Sequence, residues 1–233
     1  MANNQIDPRL LSAASFVRAG AVFADIGTDH GYLPVFLLSE GVIKFAYLSD
    51  VNEGPLNKAR ENVARSGLDG KCRFFLSDGA SDLDGFGITD FAICGMGGEL
   101  IADIIERALH VFSGDVRLIL QPMSRQEHLR RALYRLGFFI RDERYSLSDG
   151  KRYVCICAER ADTVTEISDS LAYLGPDLPH TEDRAAYLEY LIAKRDGFKK
   201  IASAKRAAGI NDGTDEIVRL FDGRIKEYSE SED

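Results

Sequence analysis

Ala21-Val22-Phe23-Ala24-Asp25-Ile26-Gly27-Thr28-Asp29-His30-Gly31-Tyr32-Leu33-Pro34 changes character twice within fourteen residues. The apolar run 21–26 predicts a buried strand, and 27–31 a glycine-bearing loop. From Tyr32 to Ser39 a helix is expected, with Pro34 in its first turn, where a missing N–H costs nothing. The same alternation continues along the chain. Residues 45–50 read as a second strand, and 55–66 as a helix opened by Pro55 and closed by Gly67. Its Leu56, Ala59 and Val63 share one face.

Strands are expected at 72–76, 90–94 and 116–121, with the polar turn 77–82 after the first of them. A helix over 99–109 carries the stripe Leu100, Ile101, Ile104, Ile105 and Ala108, and another over 125–136 stops at Gly137. Segments 138–145 and 153–158 follow with only Ser148-Asp149-Gly150 as a turn, which predicts an antiparallel hairpin. Five βα units and a hairpin make an α/β fold: a doubly wound parallel sheet whose ligands bind at the carboxyl ends of its strands.

Beyond Arg160 the pattern changes, and the chain is expected to divide into a domain over 1–160 and a linker with a helical appendage over 161–233. Leu174-Gly175-Pro176-Asp177-Leu178-Pro179 breaks structure. A long helix over 182–208 would present Tyr187, Leu191, Phe198, Ile201 and Ala208 on one side. A second would present Ile217, Leu220, Phe221, Ile225 and Tyr228, giving a coiled-coil-like α-helical hairpin.

Composition excludes several classes. No apolar run approaches the roughly 20 residues needed to span a bilayer, and residues 1–5 show no basic-then-apolar leader, so a cytoplasmic location is expected. Cys72, Cys94, Cys155 and Cys157 show no CxxC spacing and the four histidines are scattered, so no metal site and reduced thiols are expected. The net charge of −8 argues against nucleic acid at first sight. Yet Arg117 to Arg152 holds nine basic residues and four acids, which leaves room for a polyanionic substrate.

The loop after the first strand bears the chemistry. Glycine lets backbone N–H groups approach a ligand, and the following helix points its N-terminal dipole into the same space. A G-x-G-x-x-G is missing, which disfavours a pyrophosphate and hence an NAD-dependent dehydrogenase. An acid-lined loop instead suits the ammonium and sulfonium of S-adenosylmethionine. Asp50 ends the second strand, where an acid can hold both ribose hydroxyls, and Asp78-Gly79 follows the third, within reach of an adenine amino group. Each acid alone is ordinary turn chemistry, so the triple carries the reading. Gly95-Met96-Gly97-Gly98 either forms a flat floor under a ligand or is simply a tight strand-to-helix turn. No His or Lys adjoins Cys94 to activate it, so Cys94 reads as a small buried residue.

A parallel sheet with a terminal antiparallel hairpin is the Rossmann-like arrangement associated with class I methyltransferases. Residues Phe23 to Pro34, with GTDHGYLP at their centre, resemble the first motif of the bacterial tRNA (adenine-N1)-methyltransferase family that modifies adenine 22. Ser49-Asp50-Val51-Asn52, Ser77-Asp78-Gly79, Gly95-Met96-Gly97-Gly98 and Leu120-Gln121-Pro122 follow in that family's order, and the C-terminal helices are similar to its coiled-coil appendage. Met123 stands where that family often carries Asn.

The resemblance implies S-adenosyl-L-methionine as cofactor, held by Asp25, Gly27, Asp29, His30, Gly31, Tyr32, Leu33, Asp50, Val51, Asp78, Gly79 and Gly95. Catalysis would fall to Asp29, Gly95, Met96 and Gly97. A tRNA substrate would be met by Gly98, Gln121, Pro122, Arg125, Arg130, Arg131, Lys199 and Lys200. Two other classes remain: a methyltransferase of this fold acting on a small molecule or protein, and a non-catalytic nucleotide- or RNA-binding module.

Overall fold

The computed structural model describes residues 6–161, 163–176 and 183–230. His180, the end of the breaker-rich linker and the expected helix start at Glu182 therefore lie outside the described residues. Strands β1 (Phe23–Ile26), β2 (Ala46–Asp50), β3 (Cys72–Leu76), β4 (Asp90–Gly97), β5 (Arg117–Ser124), β6 (Phe138–Ser148) and β7 (Lys151–Arg160) form one sheet. Its order is β3-β2-β1-β4-β5-β7-β6. The first five are mutually parallel, and β7 lies antiparallel between β5 and β6. Chain order reverses between β1 and β4, and that switch point opens a crevice at the strands' carboxyl ends.

Period-two alternation feeds two cores. Phe23, Leu48, Ala92, Ile119 and Cys157 face α1 (Pro8–Ala14), α2 (Tyr32–Ser39) and α3 (Glu53–Arg65). Ala24, Ile93, Leu118, Leu120 and Ile156 face α4 (Gly98–Arg107) and α5 (Gln126–Arg135). The second cluster continues without a break into the C-terminal helices through Tyr187, Tyr190, Leu191 and Phe221. There α7 (Arg184–Ala207) and α8 (Thr214–Glu230) pack together, after a short α6 (Asp169–Leu174).

Several expectations need correction. Only a 3-10 turn, Ser81–Leu83, separates β3 from β4, so there are four βα units and not five. Two short helices, α1 and α6, had no sequence signal strong enough to be read. Strand β4 runs on through the glycine loop to Gly97, with register shifts against β5 at Met96. Leu100 and Ile201, placed on apolar stripes, are instead exposed. Ala208 is exposed as well.

Candidate active site

The loop after β1 is built by the backbone. Gly27 and Thr28 both donate to the Ser49 carbonyl (2.8 and 2.9 Å), which ties the loop to β2. His30 and Gly31 then take consecutive left-handed conformations (φ 64° and 67°), turning the chain into α2. A left-handed histidine is strained by about 1 kcal/mol or more, and such strain gathers at functional loops. No side chain caps α2, so its first-turn N–H groups remain open toward the crevice.

Asp25 sits beneath this loop, fully buried, accepting one hydrogen bond from Thr28 Oγ1 at 2.6 Å. Burial pushes its carboxyl up to about 6; the Thr28 bond opposes this, while Asp50 and Asp29 push the same way. Asp25 and Asp50 stand at the carboxyl ends of the paired strands β1 and β2, with Asp29 in the loop that follows β1. Asp50 Oδ1 accepts from the Asn52 amide (2.8 Å) at the end of β2. Asp29 is largely exposed, and its carboxylate lies against His30 Nδ1. The His30 ring in turn stacks on Tyr32 (5.4 Å, 7°).

Asp78 is placed differently. Its carboxylate is exposed and held by Arg107 of α4 (2.8 Å), an ion pair that lowers its pKa. Asp78 follows Ser77, whose amide donates to the Asp50 carbonyl at 2.9 Å, and Gly79 lies beside β2, its carbonyl 3.4 Å from Ser49 Oγ.

The Gly95–Gly98 segment closes the other side of the crevice. A Cβ on Gly27 would lie 1.8 Å from Met96 Cε, so Met96 rests directly on the β1 loop. A Cβ on Gly98 would come within 2.4 Å of the Arg125 carbonyl, a backbone atom that cannot easily yield, so only glycine fits there. Arg125 itself is left-handed (φ 54°) and turns the chain from β5 into α5. Gly95 is fixed by Gln121, a fully buried side chain whose Oε1 accepts from the Gly95 amide at 3.1 Å. Burial also drives the Cys94 thiol far up, with Asp25 adding to it, which removes Cys94 as a nucleophile at neutral pH.

Among the described residues, Tyr32, Val51, Leu76, Leu100 and Met123 are large apolar side chains left exposed, and all stand around these strand tips. An apolar rim with carboxylates beside it, Asp25 among them buried, fits a ligand that is flat and apolar in part and cationic in part. Gly27, Gly31 and Gly95, all left-handed, supply the close backbone approach such a ligand needs. Among the described residues no group of three or more His, Cys, Asp or Glu could hold a metal ion.

The expected phosphate-binding arginines divide. Arg130 is a correction: its side chain is fully buried, paired with Glu143 through Nε (2.6 Å) and Nη2 (2.9 Å), and it meets no solvent-borne phosphate. Arg131 is partly exposed and bonds the Ile167 carbonyl and Asp169. Arg125 is exposed between Glu99 and Glu127. Lys199 pairs with Asp222 of α8 (3.1 Å), and Lys200 is exposed on α7. A cleft of about 520 Å³ separates Arg125 from α7, lined among others by Tyr173, Lys194, Phe198 and Lys205. Burial lowers the Lys194 amine to about 8, and it donates to Gln126 Oε1 at 2.5 Å.

Sheet order, the β1 glycine loop and the acids at the ends of β1 and β2 together define a class I S-adenosylmethionine-dependent methyltransferase. The family model of the methyltransferase domain matches residues 6–156. The tRNA (adenine(22)-N(1))-methyltransferase of Bacillus subtilis (strain 168) is 35% identical over 158 residues, covering 68% of this chain and 66% of that protein. The crystal structure of the B. subtilis M1A22 tRNA methyltransferase TrmK superposes with a TM-score of 0.78 at 28% identity, covering 99% of this chain and 100% of that one. A Streptococcus pneumoniae protein proposed as a tRNA (m1A22) methyltransferase, solved in complex with S-adenosyl-L-methionine, gives a TM-score of 0.83. It is 31% identical and covers 95% of this chain and 100% of that one. The chain belongs to the tRNA (adenine(22)-N1)-methyltransferase family.

Proposed function

We propose that this protein methylates N1 of adenine 22 in tRNA. The observation that carries the reading is the Gly27–Gly31 loop at the end of β1, with the buried Asp25 bonded to its Thr28 and Met96 of the Gly95–Gly98 segment resting on Gly27. When bound, S-adenosylmethionine supplies an electrophilic methyl group that bonds to the adenine N1 lone pair, leaving S-adenosylhomocysteine. Asp25 and the open N-terminus of α2, with Gly27, His30, Gly31, Tyr32 and Leu33 around them, hold the amino-acid end of the cofactor. Asp50 and Val51 hold the ribose and the adjoining face, and Gly79 borders the adenine.

The acceptor base lies on the floor made by Gly95, Met96, Gly97 and Gly98, with Gln121 and Pro122 beneath it. Because N1 sits on the Watson–Crick edge, the base must be unpaired and turned out, at a cost of a few kcal/mol. Neutral N1 needs no general base. Holding the reactants in place can supply up to about 7–11 kcal/mol of the barrier. The ring becomes cationic on methylation, and the Asp29 carboxylate would favour that charge. Arg125, which lines the cleft against α7, and Arg131, Lys199 and Lys200 are offered to the RNA backbone. A tRNA substrate also locates the reaction in the cytoplasm.

Unmodified tRNA transcripts incubated with labelled cofactor should gain 1-methyladenine at one position, found by mapping at adenine 22. Transfer to no tRNA at all would refute the assignment and favour a small-molecule or protein acceptor. Asp29→Asn should lower turnover about tenfold with cofactor affinity little changed, because its carboxylate is exposed; full turnover would remove Asp29 from catalysis.

A further inference from the structure

Arg9 lies outside every motif, yet the fold brings it into the crevice. Helix α1 is N-capped by Asp7, whose Oδ1 accepts from the Arg9 amide at 2.9 Å while Oδ2 accepts from Arg9 Nε at 3.2 Å. The guanidinium is thereby aimed at the tips of β4 and β5. Its Nη1 donates to Gln121 Oε1 at 3.2 Å, the same oxygen that fixes the Gly95 amide. A Cβ on Gly95 would lie 3.9 Å from Arg9 Nη1, so the guanidinium borders the exposed face of Gly95. The arginine is half-buried, and these contacts use two of its five N–H donors; the other three have no protein partner among the described residues.

We propose that Arg9 is an anion-binding residue of this pocket, presenting those donors to a carboxylate or phosphate oxygen of a bound ligand. The other charged residues at the ends of β1 and β2 are acids: Asp25, Asp29 and Asp50 suit cationic groups and repel anionic ones. Both reactants of the proposed reaction nevertheless carry an anion, the carboxylate of the cofactor's amino-acid end and the phosphates flanking the acceptor nucleotide. Arg125, nearby, is claimed by Glu99 and Glu127, whereas Arg9 is engaged by one carboxylate through Nε alone. A planar guanidinium held rigidly by Asp7 and Gln121 gives up little freedom when it binds an oxyanion in bidentate fashion. A bound anion would also shield the methylated ring from the guanidinium's positive charge.

The inference rests on the functional reading above, and binding of cofactor and tRNA by the unaltered protein, measured in the same series, tests that reading separately. Arg9→Gln and Arg9→Lys should be compared by calorimetry with S-adenosylmethionine and by tRNA binding across a salt series. If the anion is the cofactor carboxylate, Arg9→Gln weakens cofactor binding about tenfold. If it is a phosphate, cofactor binding is unchanged and the slope of log affinity against log salt falls by about 0.7–0.9. In either case Arg9→Lys, which keeps the charge, should recover part of the loss. The proposal is overturned if both measurements for Arg9→Gln match the unaltered protein. In that event Arg9 only orders Gly95 through Gln121, and kcat alone would fall. It is equally overturned if both variants lose binding together with a lowered melting temperature, since that outcome shows a packing role.

Discussion

Asp25→Asn is expected to make the ligand-free protein more stable at pH 7.5 by about 2–3 kcal/mol and to weaken S-adenosylmethionine binding by at least about tenfold. The first effect follows from the sign of the pKa shift. Burial raises the Asp25 carboxyl from 3.8 to about 6, against the Thr28 hydrogen bond and with help from Asp50 and Asp29. The folded protein therefore holds this proton more tightly than the unfolded chain does. The stabilisation is fully present below about pH 4 and is lost as pH rises to about 6, after which the penalty of the buried charge is constant. Asparagine never ionises, and its oxygen can still accept from Thr28 Oγ1, so the penalty disappears.

The second effect has the same origin. A charge held at a cost in the free protein is repaid when a cationic ligand arrives, which is why a binding site can keep a group that destabilises the fold. Cofactor affinity should accordingly rise with pH up to about 6 and then level off, and the Asn variant should lack that rise. Denaturant midpoints from pH 4 to 8 and calorimetry over the same range check both halves. An Asn variant less stable than the original at pH 7.5, or equal in cofactor affinity, would contradict the account.

How much of this was legible beforehand depends on how local each signal is. The β1–loop–α2 unit was readable because one short window holds an apolar run, two glycines and a proline at the first helical turn; α2 falls at 32–39 as expected. Asp25 and Asp50 were readable because strand ends in a doubly wound sheet point one way. Arg130 was not, because its partner Glu143 comes thirteen residues later on another element. Basic residues at helical spacing look the same whether they face solvent or a buried carboxylate. Gln121 was expected only to meet the substrate, and its role in fixing Gly95 appears once β4 and β5 are adjacent. Arg9 was invisible, since a seven-residue helix has too few turns to show a period. The capture of Asp78 by Arg107 depends equally on where α4 happens to lie.

Glu143→Gln is expected to cost about 3–5 kcal/mol and to loosen the helical hairpin before the sheet. Glu143 on β6 accepts both bonds from Arg130 and a third from Tyr145 Oη (2.5 Å), all away from water. Arg130 Nη1 also donates to the Ala172 carbonyl (2.8 Å), just before Gly175, where a Cβ would lie 2.4 Å from Glu143 Oε2. Tyr187 of α7 donates to the Leu174 carbonyl (3.2 Å), and its ring packs tilted against Tyr145 (4.6 Å, 51°). One buried cluster thus joins β6, α5, the turn after α6 and the hairpin.

Removing the carboxylate leaves a guanidinium that can neither lose its proton nor reach solvent. Arg130→Met should be milder, because the Glu143 carboxylate keeps its hydrogen bond from Tyr145 Oη. Combining Arg130→Met with Glu143→Gln should recover a large part of the loss, since no buried charge then remains. Unfolding free energies of the three variants test this order, and limited proteolysis should show cleavage in α7–α8 of Glu143→Gln while cofactor still binds. If the double variant proves as unstable as Glu143→Gln alone, the cost arises from packing around the ion pair and not from the unpaired charge.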